Sequence, residues 1–119
     1  MTGGDADLTD VTDLSLVEVL TAASDGIAGV VRRDDGAGSV WLLGDAPFAT
    51  VDGARAEFRL DPLVAGAALR TPDTGPSPRG PDWVTFGPAV LDVAAVDRAE
   101  AWFLSAARRA SGRGGSRNR

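Results

Sequence analysis

The sequence predicts a single α+β domain in which helices pack on one face of an antiparallel β-meander. Three observations lead to this prediction. A chain of 119 residues has the length of one domain. Short stretches of alternating polarity are separated by turn-forming pairs, and three segments have apolar residues at helical spacing. The predicted order is α-β-β-β-β-α-β-α, with a flexible start at 1–9, the domain at 10–110 and a disordered Arg- and Gly-rich tail at 111–119.

The first helix is predicted over residues 13–26. Thr12 or Asp13 can cap its start, acidic side chains favour its first turn, and Gly26 can end it. Val19 lies off the main apolar stripe, which indicates that more than one side of the helix is covered.

Four strands are predicted next, and turn-forming pairs separate them. Asp35-Gly36 and Asp52-Gly53 are typical of tight turns between antiparallel strands. Gly36-Ala-Gly38 superficially matches a dinucleotide-binding motif, but Trp41 stands where the third glycine would be and no helix follows. A hairpin is therefore predicted there, between strands at 27–33 and 39–43. The other two strands are predicted at 47–51 and 54–60.

The strand at 54–60 has the clearest alternation in the chain. Successive side chains of a strand point to opposite faces. We therefore expect one buried face, formed by Ala56, Phe58 and Leu60, and one solvated face, formed by Arg55, Glu57 and Arg59.

The second half begins with a helix at Asp61-Pro62, because Asp favours the N-cap and Pro the first helical position. Thr71-Pro72 ends it. A proline-rich loop is predicted over 70–82, followed by a short strand at 83–86. The last helix begins at Asp92 or Asp97, runs to about Ala110, and carries an apolar stripe formed by Val96, Ala99, Phe103, Ala106 and Ala110, with Trp102 beside it.

The segments FATVDGARAEFRL, DPLVAGAALR, PDWVTF and DRAEAWFLSAARRA carry a resemblance to known proteins. Residues 48–110 resemble small bacterial YjbR-like proteins and a bacterial group with a luciferase-like domain. The resemblance implies an α+β domain of unassigned function, and fold alone does not assign one. Members of these groups often carry histidines that this chain lacks, so an activity based on those histidines is not expected.

The composition excludes several classes of chemistry. The chain has no His, Cys, Tyr, Lys or Gln, and all twelve basic residues are Arg, a bias typical of a high-GC genome. Zinc catalysis and Ser-His or Cys-His triads need residues that are missing, as do Schiff-base chemistry and phosphate-loop lysines. We therefore predict no catalytic residue, no metal and no cofactor, and an enzyme is disfavoured.

The net charge of −5 opposes general binding to nucleic acid, which needs a basic face. The five basic residues of the last twelve form the exception. Cysteine is absent, and no apolar segment is long enough to cross a membrane or serve as a signal peptide. A cytoplasmic protein is expected.

The polar face of the strand at 54–60 is the candidate site. Arginine side chains there could present paired donors to a carboxylate or phosphate. The simpler interpretation is a solvated face whose charges pair across the sheet. The candidate ligand-binding residues are Arg55, Glu57 and Arg59 of the strand, with Arg79, Asp82 and Trp83 of the following loop and strand.

Three functions stay open from the sequence. The first is association with a protein partner or a second copy through the sheet's polar face and open edge. The second is binding of a small molecule or anion by Arg59, Arg79 and the 70–83 segment. The third is an accessory role on nucleic acid through the Arg-rich tail.

Overall fold

The computed structural model describes residues 15–36 and 38–117 and confirms the predicted α+β class. The three helices are α1 (Leu16–Ser24), α2 (Pro62–Ala68) and α3 (Val93–Arg117). The six strands are β1 (Val30–Asp35), β2 (Gly38–Leu43), β3 (Ala46–Asp52), β4 (Arg55–Arg59), β5 (Thr74–Ser77) and β6 (Gly80–Phe86).

All strands form one open antiparallel sheet in the order β1-β2-β3-β4-β6-β5. The first four strands form the predicted meander, and Gly53 adopts a φ of +64° in the predicted turn between β3 and β4. β6 pairs with β4, so that β5 and β1 are the two edges. The element order is α-β-β-β-β-α-β-β-α, one strand more than predicted.

The additional strand lies in the segment predicted to be a loop at 70–82, and this part of the prediction is wrong. Residues 74–86 form a hairpin, closed by the pair Ser77–Gly80. Proline lacks an amide donor and is tolerated in edge strands. Pro76 lies in the edge strand β5, and Pro81 lies beyond Arg59–Trp83, the last pair between β4 and β6. The prolines therefore remove few ladder hydrogen bonds.

α1 begins at a capping box. The Ser15 hydroxyl accepts from the Glu18 amide at 3.2 Å, and the Glu18 carboxylate accepts from the Ser15 amide at 2.9 Å. Each group satisfies one of the free donors at the helix start. The caps predicted at Thr12 and Asp13 lie outside the described residues.

The core lies between the helices and one face of the sheet. The Phe103 ring of α3 is at its centre, with ring centroids 5.6 Å from Trp41 and 5.1 Å from Phe48. Ala56, Phe58 and Leu60 are fully buried, as their alternation predicts. Side chains of all three helices belong to the same core, so the helices cover one face.

α3 begins where Asp92 caps it, since the Asp92 carboxylate accepts from the Ala95 amide at 2.9 Å. Its predicted stripe faces the core: Ala99, Phe103 and Ala106 are fully buried. The helix backbone continues beyond the predicted end near Ala110 as far as Arg117. Across the described residues, none of the helices combines the length and apolar character needed to cross a membrane.

Candidate functional site

Glu57 is the centre of a polar cluster on the sheet face opposite the helices. Its Oε1 accepts from Arg79 Nε at 2.7 Å and from Thr50 Oγ1 at 3.0 Å. Its Oε2 accepts from Ser77 Oγ at 2.6 Å. The Arg79 guanidinium carbon lies 5.4 Å from the centroid of the Trp83 ring, within range of a cation–π interaction. We call Thr50, Glu57, Ser77, Arg79 and Trp83 the Glu57 cluster.

The surroundings of Glu57 keep it ionised. Burial raises the pKa of its carboxyl, but hydrogen bonds from Arg79, Ser77 and Thr50 and the charge of Arg79 outweigh burial and hold the pKa below the ordinary value. A carboxylate whose oxygens accept three hydrogen bonds and which faces a guanidinium is a poor general base at neutral pH. The cluster ties the β5–β6 hairpin to β3 and β4.

Asp82 is the centre of a second polar cluster, at one end of the sheet. Asp82 Oδ2 accepts from Arg59 Nε at 3.1 Å and from Arg109 Nη2 at 3.2 Å. Arg109 Nε also donates to Asp61 Oδ1 at 3.0 Å. Asp61 is the N-cap residue of α2, but its side chain makes no capping bond, because it is used by Arg109. We call Arg59, Asp61, Asp82 and Arg109 the Asp82 cluster.

The Asp82 carboxyl is also held in its ionised form. Burial raises its pKa, while the hydrogen bond from Arg59, the bond from its own amide and the charges of Arg59 and Arg109 lower it further than burial raises it. With two carboxylates and two guanidinium groups, the Asp82 cluster is neutral overall. It joins β4, β6 and the N-terminus of α2 to the last helix.

Five of the six predicted site residues fall into these two clusters. Glu57, Arg79 and Trp83 belong to the first, and Arg59 and Asp82 to the second. Arg55, which is exposed, lies opposite Asp52 in the β3–β4 register and has no ion pair within the described part of the chain. Trp83 is only 8% exposed. An incoming anion would have to compete with an internal carboxylate for Arg59 or Arg79.

Four residues of these clusters are not among the residues predicted from the sequence. Thr50 lies directly opposite Glu57 in the β3–β4 register, so a register assumption could have found it. Ser77 could not be predicted, because its segment was expected to be a loop and its position depends on β5 being a strand. Asp61 and Arg109 are 48 residues apart, and the sequence carries no local signal for their contact.

The edge strand β1 is a second candidate surface, and its pairing is one-sided. It is six residues long and, among the residues that the structure describes, pairs only with β2. Val31 points away from the helices and is 54% exposed. On the helix side, Arg32 Nε donates to Asp34 Oδ1 at 2.9 Å and Arg32 Nη1 donates to Thr21 Oγ1 of α1 at 2.9 Å. Ser39 Oγ donates to Asp34 at 2.7 Å.

An apolar depression of about 270 Å³ lies beside the start of β1. Leu104 of α3, which lines it, is 43% exposed. Exposed apolar surface next to unpaired strand groups is typical of association surfaces. The other apolar side chains that line the depression are Ile27, Ala28, Leu43 and Ala107.

The opposite edge strand, β5, is less suited to pairing with an added strand. β5 has only four residues, contains Pro76, and has an irregular register between Pro76 and Ser77. Short, proline-containing and irregular edges resist pairing with another strand. Among the described strands, β1 is therefore the edge suited to strand addition.

A larger groove of about 560 Å³ lies where α1, the β3–β4 turn and the segment before α3 meet. Among the described residues, no ionisable side chain lines this groove. Its lining residues are Ser15, Leu16, Gly53, Ala54, Pro88, Ala89, Val90 and Leu91.

No family model, no curated protein and no solved structure matches this chain. The resemblance of residues 48–110 to YjbR-like proteins therefore stays a prediction.

Proposed function

We propose that this protein is a non-catalytic association module that binds another protein strand at the β1 edge. The observation that carries the proposal is the open β1 edge itself, six residues long, with Val31 exposed and an apolar depression beside it. Strand addition uses the backbone donors and acceptors of such an edge for affinity and neighbouring side chains for specificity.

The polar clusters support this proposal over ligand binding. Arg59 and Arg79, the cations proposed for an anion site, already donate to Asp82 and Glu57. Replacing an internal carboxylate by an external anion gains little, because the bond made replaces a bond lost. The clusters serve to hold the hairpin and α3 in place, while the edge is left available.

The proposed location is the cytoplasm. A chain without cysteine gains nothing from an oxidising compartment, where small domains are commonly stabilised by disulfides.

Comparison of two lysine variants tests the function. A lysine on an edge strand opposes strand addition, so Val31→Lys should abolish capture of a binding partner by the immobilised protein. Leu63→Lys is the matched control, since Leu63 is also an exposed apolar residue, 89% exposed, on α2. The proteins captured by wild type and by each variant are identified by mass spectrometry, and circular dichroism verifies that both variants are folded.

Partners retained by wild type and by Leu63→Lys but lost from Val31→Lys are the expected result. Equal capture by all three proteins contradicts binding at this edge.

A further inference from the structure

We infer that the strand added at the β1 edge is β1 of a second copy, in an antiparallel dimer centred on Arg33. This inference rests on the proposed function and names its partner. Two copies related by a two-fold axis perpendicular to the sheet would form one continuous antiparallel sheet of twelve strands, twice the six that each copy contains.

The symmetry limits the possible registers. Residues directly opposite each other in a sheet point to the same face, so a residue of the helix side must lie opposite another of the helix side. Arg32 and Asp34 share the helix side, whereas Val31 and Arg33 lie on the other face. The two-fold axis must therefore lie at one residue of β1, which then faces its own copy, and not midway between two residues.

Charge complementarity selects among these registers. Centring on Arg33 places Arg32 of each copy opposite Asp34 of the other, which gives two opposite-charge pairs. Centring on Arg32 gives no opposite-charge pair, and centring on Asp34 pairs only the last three residues of the strand. Centring on Val31 pairs only the first half of the strand, whereas the Arg33 register uses almost its whole length.

The internal geometry already prepares these pairs. Arg32 is held by Asp34 and by Thr21, and its guanidinium carbon lies 5.8 Å from the centroid of the Trp41 ring. A side chain fixed by three contacts loses less conformational entropy when it meets a partner. In the dimer, two such Arg–Asp pairs would lie next to each other across the axis.

The Arg33 register also contains one repulsive contact. The two Arg33 side chains lie opposite each other on the face away from the helices, where both are exposed. Like charges directly opposite destabilise a strand pair by a few tenths of a kcal/mol to about 1 kcal/mol. Arg33→Thr should therefore tighten the dimer, lowering its Kd by about two- to five-fold.

A pair of charge variants provides the decisive experiment. Arg32→Asp leaves two acids on the helix side of β1, and Asp34→Arg leaves two bases. Each variant alone repels its own copies and should be monomeric by light scattering at about 100 µM, where wild type is dimeric. A mixture of the two should form a one-to-one dimer, because each acid then faces a base.

Several results would overturn the inference. They are a wild type that is monomeric up to about 500 µM, variants that stay dimeric alone, a mixture that stays monomeric although both variants are folded, or a dimer weakened by Arg33→Thr. If wild type is monomeric while Val31→Lys still loses capture of a different protein, the edge function stands and only the second copy is wrong. If wild type is monomeric and Val31→Lys loses no captured protein, both fail.

A cross-linking measurement does not depend on the charge variants folding. The chain has no cysteine, so Arg33→Cys introduces a single thiol at the two-fold axis. Opposite Cα atoms in an antiparallel pair are about 4.5–5.5 Å apart, within the range that a disulfide spans. Under mild oxidation Arg33→Cys should form a covalent dimer at least ten-fold faster than Leu63→Cys, and equal rates would exclude the register.

Discussion

Ser77 Oγ donates to Glu57 Oε2 over 2.6 Å, and this bond joins the edge strand β5 to β4 although β6 lies between them in the sheet. Glu57 therefore anchors a hairpin whose edge strand contains Pro76 and has an irregular register between Pro76 and Ser77. The carboxylate that the sequence offered as a ligand-binding group is used to hold the structure together.

Replacing Glu57 by Ala should lower the free energy of unfolding by about 2 kcal/mol, the range of charge-assisted hydrogen bonds. The amides of the β5–β6 hairpin should lose their protection from hydrogen exchange first, since Ser77 and Arg79 both lose their acceptor. Urea unfolding and amide hydrogen exchange measure the two effects. Arg55→Ala, on the same strand face and without an ion pair in the described chain, is the control. Equal losses in both variants would contradict the anchor role.

The pH dependence follows from the lowered pKa values of Glu57 and Asp82. Their ordinary values are 4.5 and 3.8, and the folded values lie below these. A carboxyl with a depressed folded pKa contributes stability that is fully present above its unfolded pKa and is lost as pH falls through the folded pKa. Urea midpoints should therefore be constant from about pH 7 to about pH 5.5 and fall steeply below about pH 4.5.

The matched variant for this effect is Glu57→Gln, which cannot be protonated. It should be less stable than wild type at neutral pH and lose less stability on acidification, so that the two curves converge. Parallel curves would show that Glu57 does not contribute to the acid transition.

Arg109→Met should destabilise the protein by about 1–3 kcal/mol, because two carboxylates of the Asp82 cluster lose a donor. The Arg109 side chain is only 14% exposed. The neighbouring Arg108 is exposed, and Arg108→Met provides the control with the same change of charge. Differential scanning calorimetry should show a lower melting temperature for the first variant only. A similar decrease in both would assign the effect to net charge.

Gly38→Ala should destabilise the pairing of β2 with β3, because a Cβ atom at Gly38 would overlap the carbonyl oxygen of Val51. The clash is with backbone, so the strand must move, at a cost of about 1–3 kcal/mol. Gly36→Ala is the control, since a Cβ there meets no atom within 4 Å. Thermal melts distinguish the two, and a neutral Gly38→Ala would mean that β2 and β3 separate easily at this point.

Phe103→Ala should remove the aromatic centre of the core and cost about 3–5 kcal/mol. Trp41 and Phe48 both lose a ring contact, so tryptophan fluorescence should shift to the red as well. Leu104→Ala, at the next and partly exposed position, should cost much less. Near-equal losses would place the core elsewhere on α3.

The parts of the fold that depend on local periodicity could be predicted from the sequence. Alternation over 54–60 predicted which face of β4 is buried, helical spacing predicted the core stripe of α3, and Asp-Gly pairs predicted the turns. These signals are local because side-chain direction follows directly from backbone geometry over a few residues. The excluded chemistries also follow from the sequence alone, since a residue type that is absent cannot act.

The contacts of the polar residues, in contrast, depend on how the chain packs. Proline at 76 and 78 is typical of a loop, but the position of β5 at the sheet edge makes a strand possible, and neighbours far apart in sequence set that position. Apart from Thr50, which is 7 residues from Glu57, the partners of Glu57 and Asp82 are 20 to 27 residues away in sequence, and Arg109 and Asp61 are 48 apart. Charge pairing across such distances depends on packing, and no local pattern specifies it.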